Sequence, residues 1–115
     1  MFPYQNLKVY QLSEEYYRVI HRFLKNAPQL SRYVKDQLGR ASLSIPANIA
    51  EGSAKFSKRD QRNFYVVARG SAFECSAILR IMFSENELDK ELCDHCLALL
   101  DQISRMLYVL VRGLE

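Results

Sequence analysis

Two thiols stand three residues apart around a histidine in the stretch Cys93-Asp94-His95-Cys96. On a helix this spacing puts both sulfurs on one face, which is how many zinc sites begin. A closed zinc site needs four ligands, and only Cys75 and His21 remain to complete it. Acidic neighbours raise thiol pKa values, which disfavours a redox role. We therefore predict that Cys93 and Cys96 are small buried core residues, and that the chain uses no metal or other cofactor.

Two carboxylates, Glu51 and Glu74, offer the pairing that would suit general acid and base catalysis. No nucleophile, phosphate-binding loop or set of metal ligands accompanies them. Gly52 and Gly70 stand too far apart for a phosphate-binding loop, and the P-loop, nucleophile-elbow and zinc-protease motifs are absent. The sequence therefore predicts no catalytic residues and a protein that is not an enzyme.

A cluster of cations follows in the segment 55–62. Most of them fall in the first turns of a predicted helix, where the positive end of the helix dipole disfavours cations. Cations in that place, beside backbone amides that point the same way, suit a phosphate ligand, whereas the alternative is a solvated turn without a ligand. Phe56 and Tyr65 could stack on exposed bases, with core packing as the alternative. The predicted nucleic-acid-binding residues are Lys55, Lys58, Arg59 and Arg62.

Four amphipathic helices are predicted to position these residues, because apolar residues recur at spacings of three and four. Ser31 supplies an N-cap for the second helix, and Ser57 with Asp60 approximates a capping box for the third. Short turns make neighbouring helices antiparallel, so we predict an all-α, up-down-up-down four-helix bundle, one domain over 1–115. The predicted helices span 7–24, 31–51, 57–83 and 88–114.

Helix four carries two adjacent apolar seams, which is more than one neighbouring helix can cover. Self-association would hide the remainder, and a generously packed core is the alternative.

Several residues in the middle of the chain are unusual for the helices in which they are predicted to lie. Pro46 lies inside the second helix, where we predict a kink rather than a break because the apolar pattern continues beyond it. Gly52 is predicted to end that helix in a left-handed conformation, and Gly70, inside the third helix, needs a packing reason. The polar residues nearby are predicted to hydrogen-bond between helices or between subunits. This structural or interface motif comprises Pro46, Asn48, Glu51, Gly52, Arg69, Gly70, Ser71 and Glu74.

The middle of the chain also carries a resemblance. It reads Ser-Ile-Pro-Ala-Asn-Ile-Ala-Glu-Gly at 44–52, then a short basic linker with Ser57, then Ala-Arg-Gly-Ser at 68–71 and Glu74. This order resembles the 23S rRNA intervening-sequence proteins, a family that includes the accessory variability determinant of diversity-generating retroelements. The resemblance spans nearly the whole chain and implies a four-helix bundle that assembles into a ring-like homopentamer. For the retroelement members it implies a basic surface that binds nucleic acid and a reverse transcriptase partner, whereas the intervening-sequence members have no settled activity.

The composition indicates what kind of protein this is. About half of the 115 residues are apolar and a quarter are charged, which is typical of globular proteins. The three cysteines and the absence of a leader pattern predict a cytoplasmic protein without disulfides, and no apolar run is long enough to cross a membrane. We predict a homo-oligomer that binds nucleic acid, RNA above all. The alternative is an oligomeric adaptor for proteins that binds no nucleic acid.

Overall fold

The structure is a computed structural model that describes residues 1–115. Each of its four α-helices packs closely against the two beside it, and the backbones of the diagonal pairs lie farther apart. This closed arrangement is a four-helix bundle, so the predicted all-α class is confirmed. A short 3-10 helix, Pro3–Asn6, precedes α1 (Lys8–Lys25), α2 (Arg32–Ser53), α3 (Lys58–Ser84) and α4 (Lys90–Gly113).

Hydrogen bonds identify the two ends of the bundle. The Gln29 side chain donates to the Glu87 carbonyl at 3.2 Å, which places the linker between α1 and α2 beside the turn between α3 and α4. At the other end, Arg62 donates to the Leu114 carbonyl at 3.2 Å, which joins the start of α3 to the C-terminus. Successive helices therefore run in opposite directions, as predicted.

Side-chain caps begin three of the helices. Ser31 and Ser57 each accept a hydrogen bond from the backbone amide three residues on, at 3.4 Å and 3.1 Å, so both predicted N-caps are confirmed. The return bond of a capping box, from the Ser57 amide to the Asp60 carboxylate, is not formed. Asp89 caps α4 in the same way at 2.9 Å. No helix is both long enough and apolar enough to span a membrane.

The second helix runs through Pro46 without interruption, as predicted, but it does not end at Gly52. It continues to Ser53, and no glycine in the chain has a positive φ, so the predicted left-handed stop is wrong. A Cβ on Gly52 would lie 2.9 Å from Cε1 of Tyr65 and 3.0 Å from Cβ of Phe64. The glycine is therefore required for the close approach of α3 to α2.

A short polar chain crosses the otherwise apolar core. The Tyr16 hydroxyl lies 3.0 Å from Oγ of Ser42, which in turn lies 3.5 Å from Sγ of Cys75. All three side chains are fully buried and belong to α1, α2 and α3 respectively. Burial raises the pKa of both the Tyr16 hydroxyl and the Cys75 thiol, so both groups keep their protons and remain available as donors.

The cysteines of α4 lie in the core. Cys93 is 3% exposed and Cys96 is fully buried, so their predicted role as small packing residues is confirmed. Burial raises the pKa of Cys96 to about 12, and burial followed by the charge of Asp94 raises that of Cys93. His95 points to solvent, and no group of three potential metal ligands comes together around the pair.

Candidate nucleic-acid interface

The predicted basic residues lie in the turn between α2 and α3 and on the first turns of α3. Lys58 and Arg59 are exposed, and neither forms an ion pair within the chain. Phe56, in the same turn, is wholly exposed. Tyr65 is only 6% exposed and packs on Gly52, so it is a core residue. Of the two aromatic residues considered for base stacking, Phe56 alone remains accessible.

The other two cations are engaged within the chain. The ammonium of Lys55 lies 3.2 Å from a carboxylate oxygen of Glu51 and 5.1 Å from the ring centroid of Phe64. Arg62 donates a hydrogen bond to the Leu114 carbonyl. Because Lys55 and Glu51 are partly exposed, their attraction is weak, and a phosphate could compete for the ammonium.

Hydrogen bonds among the motif residues join α2 to α3. Asn48 donates to the carbonyl and the hydroxyl oxygen of Ser44, at 2.8 and 2.9 Å, and the Ser44 hydroxyl lies 2.8 Å from that of Ser71. Gln37 donates to a carboxylate oxygen of Glu74. Ser71 and Glu74 therefore form bonds between helices, whereas Asn48 bonds within its own helix and Glu51 pairs with Lys55.

The two carboxylates considered for catalysis are far apart. Glu51 lies near the end of α2, whereas Glu74 bonds to Gln37 near its beginning. At 1.5 Å per residue, about 21 Å of helix separates these two positions on α2. Glu51 and Glu74 therefore do not share one site.

On the opposite side of α3, Arg69 joins α3 to α4. Its Nε donates to the Ser104 carbonyl at 3.3 Å, and its guanidinium lies 4.6 Å from the ring centroid of Phe73 and 5.5 Å from that of Tyr108. The guanidinium of Arg112 lies 5.9 Å from the Tyr108 ring, and its Nη1 donates to the Tyr108 hydroxyl at 3.0 Å. We call Arg69, Phe73, Tyr108 and Arg112 the arginine–aromatic array.

The sequence predicted Arg69 as a partner between helices or between subunits, and it missed the rest of this array. The available signal was the spacing of four between Arg69 and Phe73 and between Tyr108 and Arg112, which brings each arginine near an aromatic ring. Gly70 lies beside the array and is exposed, and a Cβ there would meet no atom within 4 Å. The packing reason expected for Gly70 is therefore not found within the chain.

The chain is similar to a known protein family. The family model described as "23S rRNA-intervening sequence protein" matches residues 5–109. The chain belongs to this family. The membership confirms the resemblance inferred from residues 44–52 and 68–71.

A solved structure has the same fold as this 23S rRNA-intervening sequence protein. It is described as a protein of unknown function from the S23 ribosomal protein family of Bacteroides thetaiotaomicron. The two agree with a TM-score of 0.85 at 23% identity, over 90% of this chain and 97% of the other. None of the curated proteins matches the chain.

Proposed function

We propose that this 23S rRNA-intervening sequence protein is a non-enzymatic, self-associating protein that binds structured RNA through the turn between α2 and α3. The observation that supports this most is the exposure of Phe56 in that turn and of two cations without partners, Lys58 and Arg59, at the start of α3. At the positive end of α3, the charges of Lys58 and Arg59 do not stabilise the helix. The exposed Phe56 ring does not stabilise the core, because it is not buried there. All three would gain from contact with phosphates and bases.

The four predicted cations differ in how readily they reach a ligand. Lys58 and Arg59 are free, so they contact phosphate without breaking any interaction within the chain. Lys55 would exchange its contact with Glu51 for a phosphate, and Arg62 donates to Leu114 through Nη1 and so keeps other donors for a ligand. We therefore rank Lys58 and Arg59 first.

Replacing Lys58 and Arg59 together with Ala is expected to weaken RNA binding and to reduce the slope of log affinity against log salt by about 2, since each lost phosphate contact lowers it by about 1. The slope is measured by fluorescence anisotropy of a labelled RNA hairpin over a range of KCl concentrations. Adding Lys55→Ala and Arg62→Ala is expected to reduce the slope further.

The matched control is the double variant Arg22→Ala and Lys25→Ala. It removes the same charge from exposed positions at the C-terminal end of α1, at the opposite end of the bundle. This control is expected to keep nearly the wild-type affinity. An unchanged slope after removal of all four predicted cations would refute RNA binding by the turn.

Self-association is supported by apolar surface that the bundle leaves uncovered. The residues of the two α4 seams are buried in the core or partly buried against it, but Val109 is 67% exposed. With Leu7, Met106 and Leu110 it lines an apolar groove of about 280 Å³ between α1 and α4. We propose that a second copy covers this groove in the ring-like homopentamer that the resemblance implies. Symmetry would then repeat the basic turn and strengthen binding to a long RNA through avidity.

Placing a carboxylate in that groove is expected to dissociate the oligomer. Val109→Asp should reduce the mass measured by light scattering toward the 13.4 kDa of one chain. Covering the groove would take the new carboxylate out of water, and an ion pair with the exposed Lys8, which also lines the groove, would offset only part of that cost. Ala98→Asp is the control, since it adds the same charge to an exposed position of α4 outside the groove. A wild-type mass of one chain, or a Val109→Asp variant that keeps the wild-type mass, would contradict this interface.

The second candidate is an oligomeric adaptor for proteins, among them a reverse transcriptase if the gene belongs to a retroelement. The engagement of Lys55 by Glu51 and of Arg62 by Leu114 favours it, because those two cations already have partners. An adaptor would retain a protein partner after nuclease and salt treatment and would not shift RNA in a gel.

A further inference from the structure

Arginines continue from the basic turn along one face of α3. Arg59, Arg62, Val66, Arg69 and Phe73 follow each other at alternating spacings of three and four, so all five share that face. At 1.5 Å per residue this row is about 21 Å long. It begins in the first turn of α3 and ends at the arginine–aromatic array, so a single chain of phosphates could follow it from one to the other.

The array lines a groove of about 400 Å³ between α3 and α4, together with Gly70 and Val111. Such a volume lies in the range of small-molecule sites. Gly70 has no side chain to fill the groove, and nothing within the chain occupies the space that its Cβ would take. The missing side chain therefore leaves room for a ligand beside the two aromatic rings.

The array has binding capacity that the chain does not use. Phe73 is 54% exposed and Tyr108 is 47% exposed, so both rings present apolar surface to solvent. Arg69 makes one hydrogen bond, through Nε, and its two Nη groups have no partner. Arg112 has fewer free donors than Arg69, since its Nε lies 3.0 Å from a carboxylate oxygen of Glu115. Glu115 also lines the groove. A ligand phosphate would compete with that carboxylate.

We propose that this groove binds an unpaired nucleotide of RNA, whose base stacks on the Tyr108 ring in place of a guanidinium and whose phosphate is held by Arg69 and Arg112. Aromatic rings and guanidinium groups stack on any base, and a guanidinium also binds phosphate in a forked geometry. Bases of a duplex are stacked on each other and cannot enter the groove, so it selects loops and bulges. The inference rests on the proposed RNA binding and adds a preference for unpaired nucleotides.

The decisive comparison uses two RNAs with the same number of phosphates, one a hairpin with a long loop and the other fully paired. We expect the wild-type chain to bind the hairpin more tightly. Tyr108→Leu should lose about 10-fold in affinity for the hairpin and keep its affinity for the duplex, because stacking is lost and charge is not. Tyr108→Phe is the conservative variant, since it keeps the ring, and Arg112, which loses its bond to the Tyr108 hydroxyl, is still paired with Glu115.

A 2-aminopurine in the loop reports stacking directly, and its fluorescence is expected to be quenched by the wild type and by Tyr108→Phe but not by Tyr108→Leu. Circular dichroism verifies that both variants fold. Equal loss of hairpin and duplex affinity in Tyr108→Leu, or no loss, would overturn the stacking site while RNA binding by the turn stands. If neither RNA binds the wild type, both proposals fail. A change in mass on Tyr108→Leu would instead identify the groove as a protein interface and overturn the site.

Discussion

Replacing Gly52 with Ala is expected to destabilise the bundle by about 2 kcal/mol, within the usual range for overpacked cores. The new methyl group would lie 2.9 Å from Cε1 of Tyr65 and 3.0 Å from Cβ of Phe64. The Tyr65 ring can rotate to some extent, but the Cβ of Phe64 is attached to the backbone of α3, so the two helices must separate. That cost exceeds the gain of about 1 kcal/mol that Ala brings to a helix interior. Urea unfolding followed by circular dichroism measures the change.

Gly70→Ala is the matched control and should have the opposite sign. It lies inside α3, where the added methyl group meets no atom within 4 Å. The variant is therefore expected to gain about 0.5–1 kcal/mol from helix propensity alone. Destabilisation of similar size in both variants would show that the contact of Gly52 with Tyr65 does not decide the spacing of the two helices.

The spacing at Gly52 also bears on the proposed RNA site. Only residues 54–57 separate the end of α2 from the start of α3. With so short a connection, a shift of α3 away from α2 moves Lys58 and Arg59 relative to the rest of the turn. Packing in the core and the placement of the free cations are therefore coupled through one glycine.

The number, order and approximate ends of the helices were predictable because the signals are local. Apolar residues recur within each helix, and the hydroxyls of Ser31 and Ser57 act on amides only three residues away. The role of Gly52 was not predictable in this way. A glycine after Glu51 near a helix end normally indicates a left-handed stop, and what overrides it is the packing of Tyr65 from the next helix.

The candidate site also has features that local sequence signals predict and features that depend on tertiary contacts. A cluster of cations in a turn is visible in the sequence, but which of them are free depends on tertiary contacts such as that of Arg62 with Leu114. The spacing of Tyr108 and Arg112 is likewise visible on one helix. That this pair faces Arg69 depends on how α4 is rotated against α3, which the pattern of either helix leaves open.

The stability of the bundle is expected to fall steeply above pH 9, with Cys96 as a principal cause. Burial raises the pKa of this thiol from an ordinary value of 9.0 to about 12. Between these values the unfolded chain loses the thiol proton and the folded chain keeps it, so raising the pH favours unfolding. The contribution of Cys96 is fully present below pH 9 and is lost by about pH 12, which amounts to about 4 kcal/mol. Urea unfolding in reductant at several pH values from 8 to 11 measures the decline.

Cys96→Ala tests the assignment through the slope of stability against pH and not through stability at one pH. The variant should lose some stability at neutral pH because it leaves a small cavity, but its alkaline slope should be shallower by up to one proton, about 1.4 kcal/mol per pH unit. Leu100→Ala is the matched control, since it truncates another buried residue of α4 that does not titrate. It should lower stability at every pH and keep the wild-type slope. A Cys96→Ala variant with the wild-type slope would assign the alkaline loss to the other buried groups whose pKa values burial also raises, which include Cys75, Cys93 and Tyr16.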